Sequence, residues 1–181
     1  RTLALVSVAL LVATACEPTP PAPVPISKDL LQPTGRELAE GEGPNHQVLL
    51  MQNLLMFRGF WLEDGQGMFG ASTRHAVTAF QKYTGIPRTG RLDAKTRLFL
   101  ATSLAKAAPR ANNGGRLIEV DLTRQILTVS TAGVTDMVLD ISSGKSSTPT
   151  PRGNFRIQRQ IDGMRVSALG RLWRPKYFTG G

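Results

Sequence analysis

Two hydrophobic periods share this chain, one of about 3.6 residues and one of two. In the first region Thr73, Ala76, Val77 and Phe80 fall at i, i+3, i+4 and i+7, placing a threonine methyl and three apolar side chains on one helical stripe. Gly85 can close the last turn in a left-handed conformation and Pro87 prevents the helix from resuming, so the spacing predicts a helix ending at about Thr84. Asp93 can accept from the free N–H groups of a following helix, in which Thr96, Phe99 and Leu100 repeat the i, i+3, i+4 spacing. An earlier helix is expected over Gln47 to Phe57 behind Asn45 as N-cap. Its apolar residues at 48 to 51 and 54 to 57 exceed one stripe, which predicts that a spare face packs on the next domain. Beyond the Pro109 to Gly115 stretch the period falls to two. Leu117 to Leu122 reads as a half-buried strand with Ile118, Val120 and Leu122 on the covered face and Glu119 and Asp121 opposite. Ile126 to Ser130, Val134 to Ser142 and Asn154 to Gln158 are the next strand candidates. The expected class is α+β and multidomain: a small three-helix bundle followed by a mostly-β domain, incomplete as given.

The N-terminal segment has neither period. Thr2 to Ala13 is an apolar and small-residue run behind Arg1, ending in Ala13-Thr14-Ala15-Cys16. It resembles a secretory signal peptide and, at its end, a bacterial lipobox, although Ala13 stands where leucine is most common. The run is short of the roughly twenty residues that span a bilayer as a helix. Cys16 is the chain's single cysteine and so cannot form an intramolecular disulfide, which makes it the candidate lipidation site. Prolines at 18, 20, 21, 23, 25 and 33 predict an extended tether over residues 17–42. These features predict an exported, secreted lipoprotein, membrane-anchored through its N-terminus and facing the cell wall. Arg1 is not an initiator methionine and the final Tyr-Phe-Thr-Gly-Gly completes no element, so the chain reads as truncated at both ends.

The formal net charge of +9 over 181 residues favours anionic partners. Nucleic acid is excluded as the expected partner, because the chain has no zinc-ligand spacing, no ribonucleoprotein aromatic motif and no dense basic run. His46, His75 and Cys16 lack ligand spacing, so neither a metal site nor a cofactor is expected.

Gly67, Phe69, Gly70, Thr73, Ala76, Val77, Phe80, Gln81, Gly85, Gly90 and Thr96 together reproduce a pattern that resembles the peptidoglycan-binding domain of bacterial wall enzymes. Val48, Met51, Gln52 and Leu55, then Gly59 and Phe60, match its upstream helix. Gln66 departs from the aspartate usual before the first glycine, which weakens the case for a carboxylate-capped turn. The resemblance implies a domain over 43–108 that binds glycan strands and stem peptides of peptidoglycan. Its candidate binding residues are Trp61, Gln66, Phe69 and Arg74. Two readings of the loop Trp61 to Met68 stand side by side: it lines a sugar or peptide groove, or it only closes a turn.

After a linker over 109–116, Ile118 to Val129 resembles the opening hairpin of the L,D-transpeptidase catalytic domain. Ile141-Ser142-Ser143-Gly144 resembles its strand ending in Ser-x-Gly, and Thr150-Pro151-Arg152-Gly153-Asn154-Phe155 its Thr-Pro-x-Gly-x-Phe turn. The resemblance covers residues 117–181. It implies an acyltransferase that cross-links stem peptides, in cell wall biogenesis, through a cysteine thiolate activated by histidine in a Ser/Thr-His-Gly-Cys motif. This chain carries neither that motif nor the family's further histidine, expected just beyond Gly181. No catalytic residue is therefore assigned, and His75 reads as a solvent-facing helical residue. The expected function is peptidoglycan binding joined, in the full-length protein, to L,D-transpeptidation. The alternative is a non-catalytic peptidoglycan-binding lipoprotein.

Overall fold

A computed structural model describes residues 35–102, 105–167 and 170–179 of the protein. The expected signal segment 1–16 with Cys16, and the expected tether as far as residue 34, lie outside the described residues. Three helices come first: α1 (His46–Phe57), α2 (Ala71–Thr84) and α3 (Ala94–Thr102). Asn45 Oδ1 accepts from Gln47 N at 2.7 Å, capping α1, and Asp93 Oδ1 accepts from Thr96 N at 2.8 Å, capping α3. Gly85 ends α2 in the left-handed region at φ 74°. Among the described residues no helix is long and apolar enough to cross a membrane.

The β part is the antiparallel sheet β1 (Arg116–Asp121), β2 (Ile126–Thr131), β3 (Val134–Asp140), in that order. Two small antiparallel pairs follow. One joins β4 (Arg159–Gln160) to β7 (Lys176–Tyr177), and the other joins β5 (Met164–Ser167) to β6 (Gly170–Trp173). The chain is α+β, with one apolar cluster running through both parts. Phe69, Val77 and Phe80 of the helical part share it with Ile126 and Val138 of the sheet. Phe60 is the hinge of this cluster: its ring meets Phe80 edge-on at 5.5 Å and Tyr83 at 5.9 Å, and its backbone bridges to Val138.

Four expectations differ from the structure. Residues 36–42 are docked rather than tethering. Leu38 is buried and exchanges backbone hydrogen bonds with Leu92, while Phe69 N donates to Glu42 O and Gly41 N to Phe69 O. In β1 the covered face is the polar one, and Ile118 and Val120 are 47% and 43% exposed. The register explains this: Asp121 lies opposite Ile126 and Glu119 opposite Thr128, on the side of the sheet turned to the helices. There Arg110 pairs with Asp121 at 2.8 Å and its N–H donates to Glu119 at 3.0 Å. Third, the sheet docks on α2 rather than on the spare face of α1, where Met56 and Phe57 remain exposed. Last, Asn154 to Gln158 is not a strand. All five of its residues are exposed, and ladder pairing begins only at Arg159, after Gln158 N donates to Tyr177 O.

Candidate peptidoglycan-binding site

Two buried glutamines hold the turns of the helical part. Gln52 Nε2 donates to Met68 O at 2.9 Å and Thr73 Oγ1 at 3.0 Å, while its Oε1 accepts from Gly67 N at 2.8 Å. Gln81 repeats the device one helix later. Its Nε2 donates to Thr89 Oγ1 and Thr96 Oγ1, both at 2.9 Å, and its Oε1 accepts from Gly90 N at 2.9 Å. Each amide thus satisfies backbone groups that a buried tight turn would otherwise leave unpaired. Gln52 fixes the loop from Trp61 to Gly70 against α1.

The same loop is tied to the start of α2. Asp64 Oδ2 accepts from Thr73 N at 2.5 Å, and Ser72 Oγ accepts from Glu63 N and Asp64 N, both at 2.9 Å. The carboxylate cap that Gln66 cannot supply therefore comes from Asp64, two residues earlier. Gly70 is needed beside it, because a Cβ there would sit 2.5 Å from Asp64 Oδ1. Burial pushes the Asp64 carboxyl up, but the hydrogen bonds from Thr73 and Ser72 together outweigh it and hold the group below the usual carboxylate range. Such a group stabilises the fold above its unfolded value and loses that contribution as pH falls through its folded value. Asp64→Asn is accordingly expected to cost about 1 kcal/mol at neutral pH. In urea titrations the difference from the parent should begin to shrink below pH ~4, where the unfolded-state carboxylate protonates, and shrink further as pH falls through the lower folded value.

A second stripe of α2, Ser72, His75, Ala79 and Lys82, faces the sheet. His75 Nδ1 lies 2.8 Å from Asp140 Oδ1 at the end of β3. Arg74 Nη2 lies 3.2 Å from His75 Nε2. A guanidinium only donates, so Nε2 accepts and the ring proton sits on Nδ1, directed at the carboxylate. Lys82, 8% exposed, donates to Ile141 O at 2.9 Å and Gln125 O at 3.1 Å, with Asp140 Oδ2 at 3.8 Å. Burial lowers the Lys82 pKa below the ordinary lysine value, and the Asp140 charge opposes that. Between this stripe, the loop and β3 lies a groove of about 380 Å³. Trp61, Ala76, Val138 and Leu139 form its apolar walls, and Glu63, His75 and Asp140 its polar groups.

Of the residues expected to bind peptidoglycan, Trp61 is 40% exposed and lines this groove. Gln66 is exposed on the neighbouring turn but does not line it. Arg74 stands at the groove's edge through its contact with His75, its Nε engaged by Glu40 at 2.8 Å. Phe69 is placed differently from the expectation: at 1% exposure its ring belongs to the core, where Glu42 and Gln52 hold the backbone around it. His75 is half exposed, but its Nδ1 is engaged by the sheet rather than left to solvent. The pairing of His75 and Lys82 with Asp140 was not legible, since it joins residues more than fifty positions apart and carries no periodic signal. In the β part, Gly144 N donates to Thr150 Oγ1 at 2.8 Å, closing the Thr-Pro turn onto the Ser-x-Gly segment. A Cβ at Gly144 would meet Thr148 O at 2.1 Å, so the segment requires glycine there.

The family model of the peptidoglycan binding domain matches residues 44–100. A crystal structure of an L,D-transpeptidase (residues 123–326) from Xylanimonas cellulosilytica DSM 15894 superposes with a TM-score of 0.69. It is 35% identical, over 80% of this chain and 74% of that one. A fused Zn-dependent amidase/peptidase/peptidoglycan-binding domain-containing protein from Clostridium acetobutylicum ATCC 824 aligns over 80% of this chain and 77% of its own. Its identity is 19% and its TM-score 0.36, too distant to carry an argument. No curated protein sequence matches. The chain belongs to the L,D-transpeptidase family and carries a peptidoglycan-binding domain in its helical part.

Proposed function

We propose that this protein binds peptidoglycan in the groove between the Trp61 loop, α2 and β3, and that in full length it cross-links stem peptides by cysteine-dependent L,D-transpeptidation. The observation that carries the binding reading is the groove itself. An exposed indole, a carboxylate at Glu63 and the His75–Asp140 pair converge on an apolar floor, at a loop fixed by Gln52 and Asp64. A sugar ring can stack on the indole while the polar groups orient the attached peptide. The L,D-transpeptidase of known structure, 35% identical, supports the second half of the reading. The chain's single cysteine, Cys16, lies in the leader-like segment, so these 181 residues alone are expected to transfer and hydrolyse no stem peptides. Attachment to the membrane through lipid on Cys16 remains part of the proposal, motivated by Ala13-Thr14-Ala15-Cys16 ahead of the proline-rich stretch. Feeding a clickable fatty acid to a bacterium expressing the gene should label the parent and not Cys16→Ser.

Sedimentation with purified sacculi tests the binding reading. The parent chain should co-sediment at ~0.15 M salt, and Trp61→Ala should weaken binding at least about tenfold with its circular dichroism unchanged. Equal binding by the parent and Trp61→Ala would remove the groove from the account.

A further inference from the structure

We infer that the groove beside Trp61 recognises a primary ammonium on an apolar side chain, and so selects stem peptides whose side-chain amine has not been acylated in a cross-link. The inference rests on the reading of the groove as the peptidoglycan site and names the part of the ligand that it takes. The chain carries a formal net charge of +9, yet among the described residues the groove is lined by two carboxylates, Glu63 and Asp140, and by no lysine or arginine. Its local charge is opposite to that of the whole chain.

The charges around the groove match one by one until Glu63 is reached. Arg74, at the edge, is paired with Glu40 at 2.8 Å. Lys82 approaches Asp140 Oδ2 to 3.8 Å, its ammonium bonded to Gln125 O and Ile141 O. His75, with its proton on Nδ1 directed at Asp140 Oδ1, adds no charge. Glu63 is left over. Among the described residues no cation or hydrogen-bond donor reaches its carboxylate, while its backbone N–H is fixed by Ser72 Oγ at 2.9 Å. An unanswered carboxylate two residues from an indole in the same lining makes a seat for a cation. Both groups stand in the helical part. The sheet residue behind them, Val138, is buried, its N donating to Gly59 O at 2.7 Å and its O accepting from Trp61 N at 3.1 Å. This wall of the groove is therefore set by the helical part itself.

The apolar walls decide what carries the cation. Trp61, Ala76 and Val138 suit a methylene chain, and about 380 Å³ has room for one together with its peptide backbone. Acyl transfer that joins two stem peptides must end on an amine of the acceptor, so a stem not yet used as acceptor presents such a group, protonated at neutral pH. Cross-linking converts it into an amide, which has no charge for Glu63 to answer. An ammonium held by a carboxylate has no free lone pair, so the groove binds the amine and does not present it for reaction.

The experiment titrates the whole chain by calorimetry with a soluble disaccharide–tetrapeptide fragment carrying a free side-chain amine, and with the same fragment N-acetylated at that amine, at ~0.15 M salt. The parent should bind the amine form at least about tenfold more tightly. Glu63→Gln, which keeps the backbone N–H that Ser72 holds, should bring the two forms within about twofold of each other with circular dichroism unchanged. Equal binding of both forms by the parent, no binding of either, or an unchanged preference in Glu63→Gln would overturn the inference. So would tighter binding of a chitosan oligomer, whose amines sit on sugars without an apolar side chain. Trp61→Ala separates the two readings. If it weakens binding of both forms while the parent does not tell them apart, the groove stands and the ammonium selection falls. If it leaves both forms bound as in the parent, the groove falls and the inference with it.

Discussion

Replacing Phe80 by alanine is expected to lower stability by about 3–5 kcal/mol, enough to leave a domain of this size largely unfolded at 37 °C. Phe80 is buried among Phe60, Val77 and Leu100, and its ring is the edge-on partner of Phe60. Truncation opens a cavity where helical part and sheet share one cluster, so both should lose structure together. Urea unfolding, followed by far-ultraviolet dichroism and by proteolysis of the sheet, should show one coincident transition at lower midpoint. A loss below about 1 kcal/mol would mean that the cluster repacks and that Phe80 is not its centre.

Removing the Lys82 ammonium is expected to separate the two parts without unfolding the first. Lys82→Met keeps the aliphatic stem but leaves Ile141 O without this donor, Gln125 O with Ile141 N as its donor, and Asp140 without the Lys82 charge. Hydrogen bonds from charged donors contribute about 1.5–3 kcal/mol, and a penalty of that size falls on the contact between α2 and the ends of β2 and β3. Limited proteolysis should cut the sheet earlier than in the parent, while the helical part keeps its dichroism and its sacculus binding. Because Ile141 leads directly into the Ser-x-Gly segment, loosening should also reach the loop closed by Gly144 and Thr150. Unchanged protection of the sheet would show that the apolar contacts through Phe60 and Val138 suffice.

The helical part was legible because its signals are local. The stripe through Thr73, Val77 and Phe80, the cap at Asp93 and the stop at Gly85 each follow from residues within one or two turns of each other. What escaped depends on distance in the sequence. Asp64 replaces the missing cap of α2 across an intervening loop, so reading only the position before Gly67 pointed to a poor acceptor. The second stripe of α2 is polar and small, and on sequence it reads as a solvated face. Its burial comes from Asp140 and two backbone carbonyls of the sheet. The inverted faces of β1 have the same origin, since alternation locates two faces but not which one meets the helices. Phe69 misled for a related reason: an aromatic in a glycine-rich loop reads as a ligand contact, yet in a small domain the loop itself supplies part of the core.

Where peptidoglycan rests on the molecule tests the central claim most directly. A nitrogen–proton correlation spectrum of the labelled chain, titrated with a soluble disaccharide–tetrapeptide fragment, reports this residue by residue. The account predicts shifts at the Trp61 indole, at Glu63, Ser72 and His75, and at Leu139 to Ile141, with Phe69 and the Gln81 turn unmoved. Shifts confined to the far side of α1 and α3, with the Trp61 indole unchanged, would contradict it.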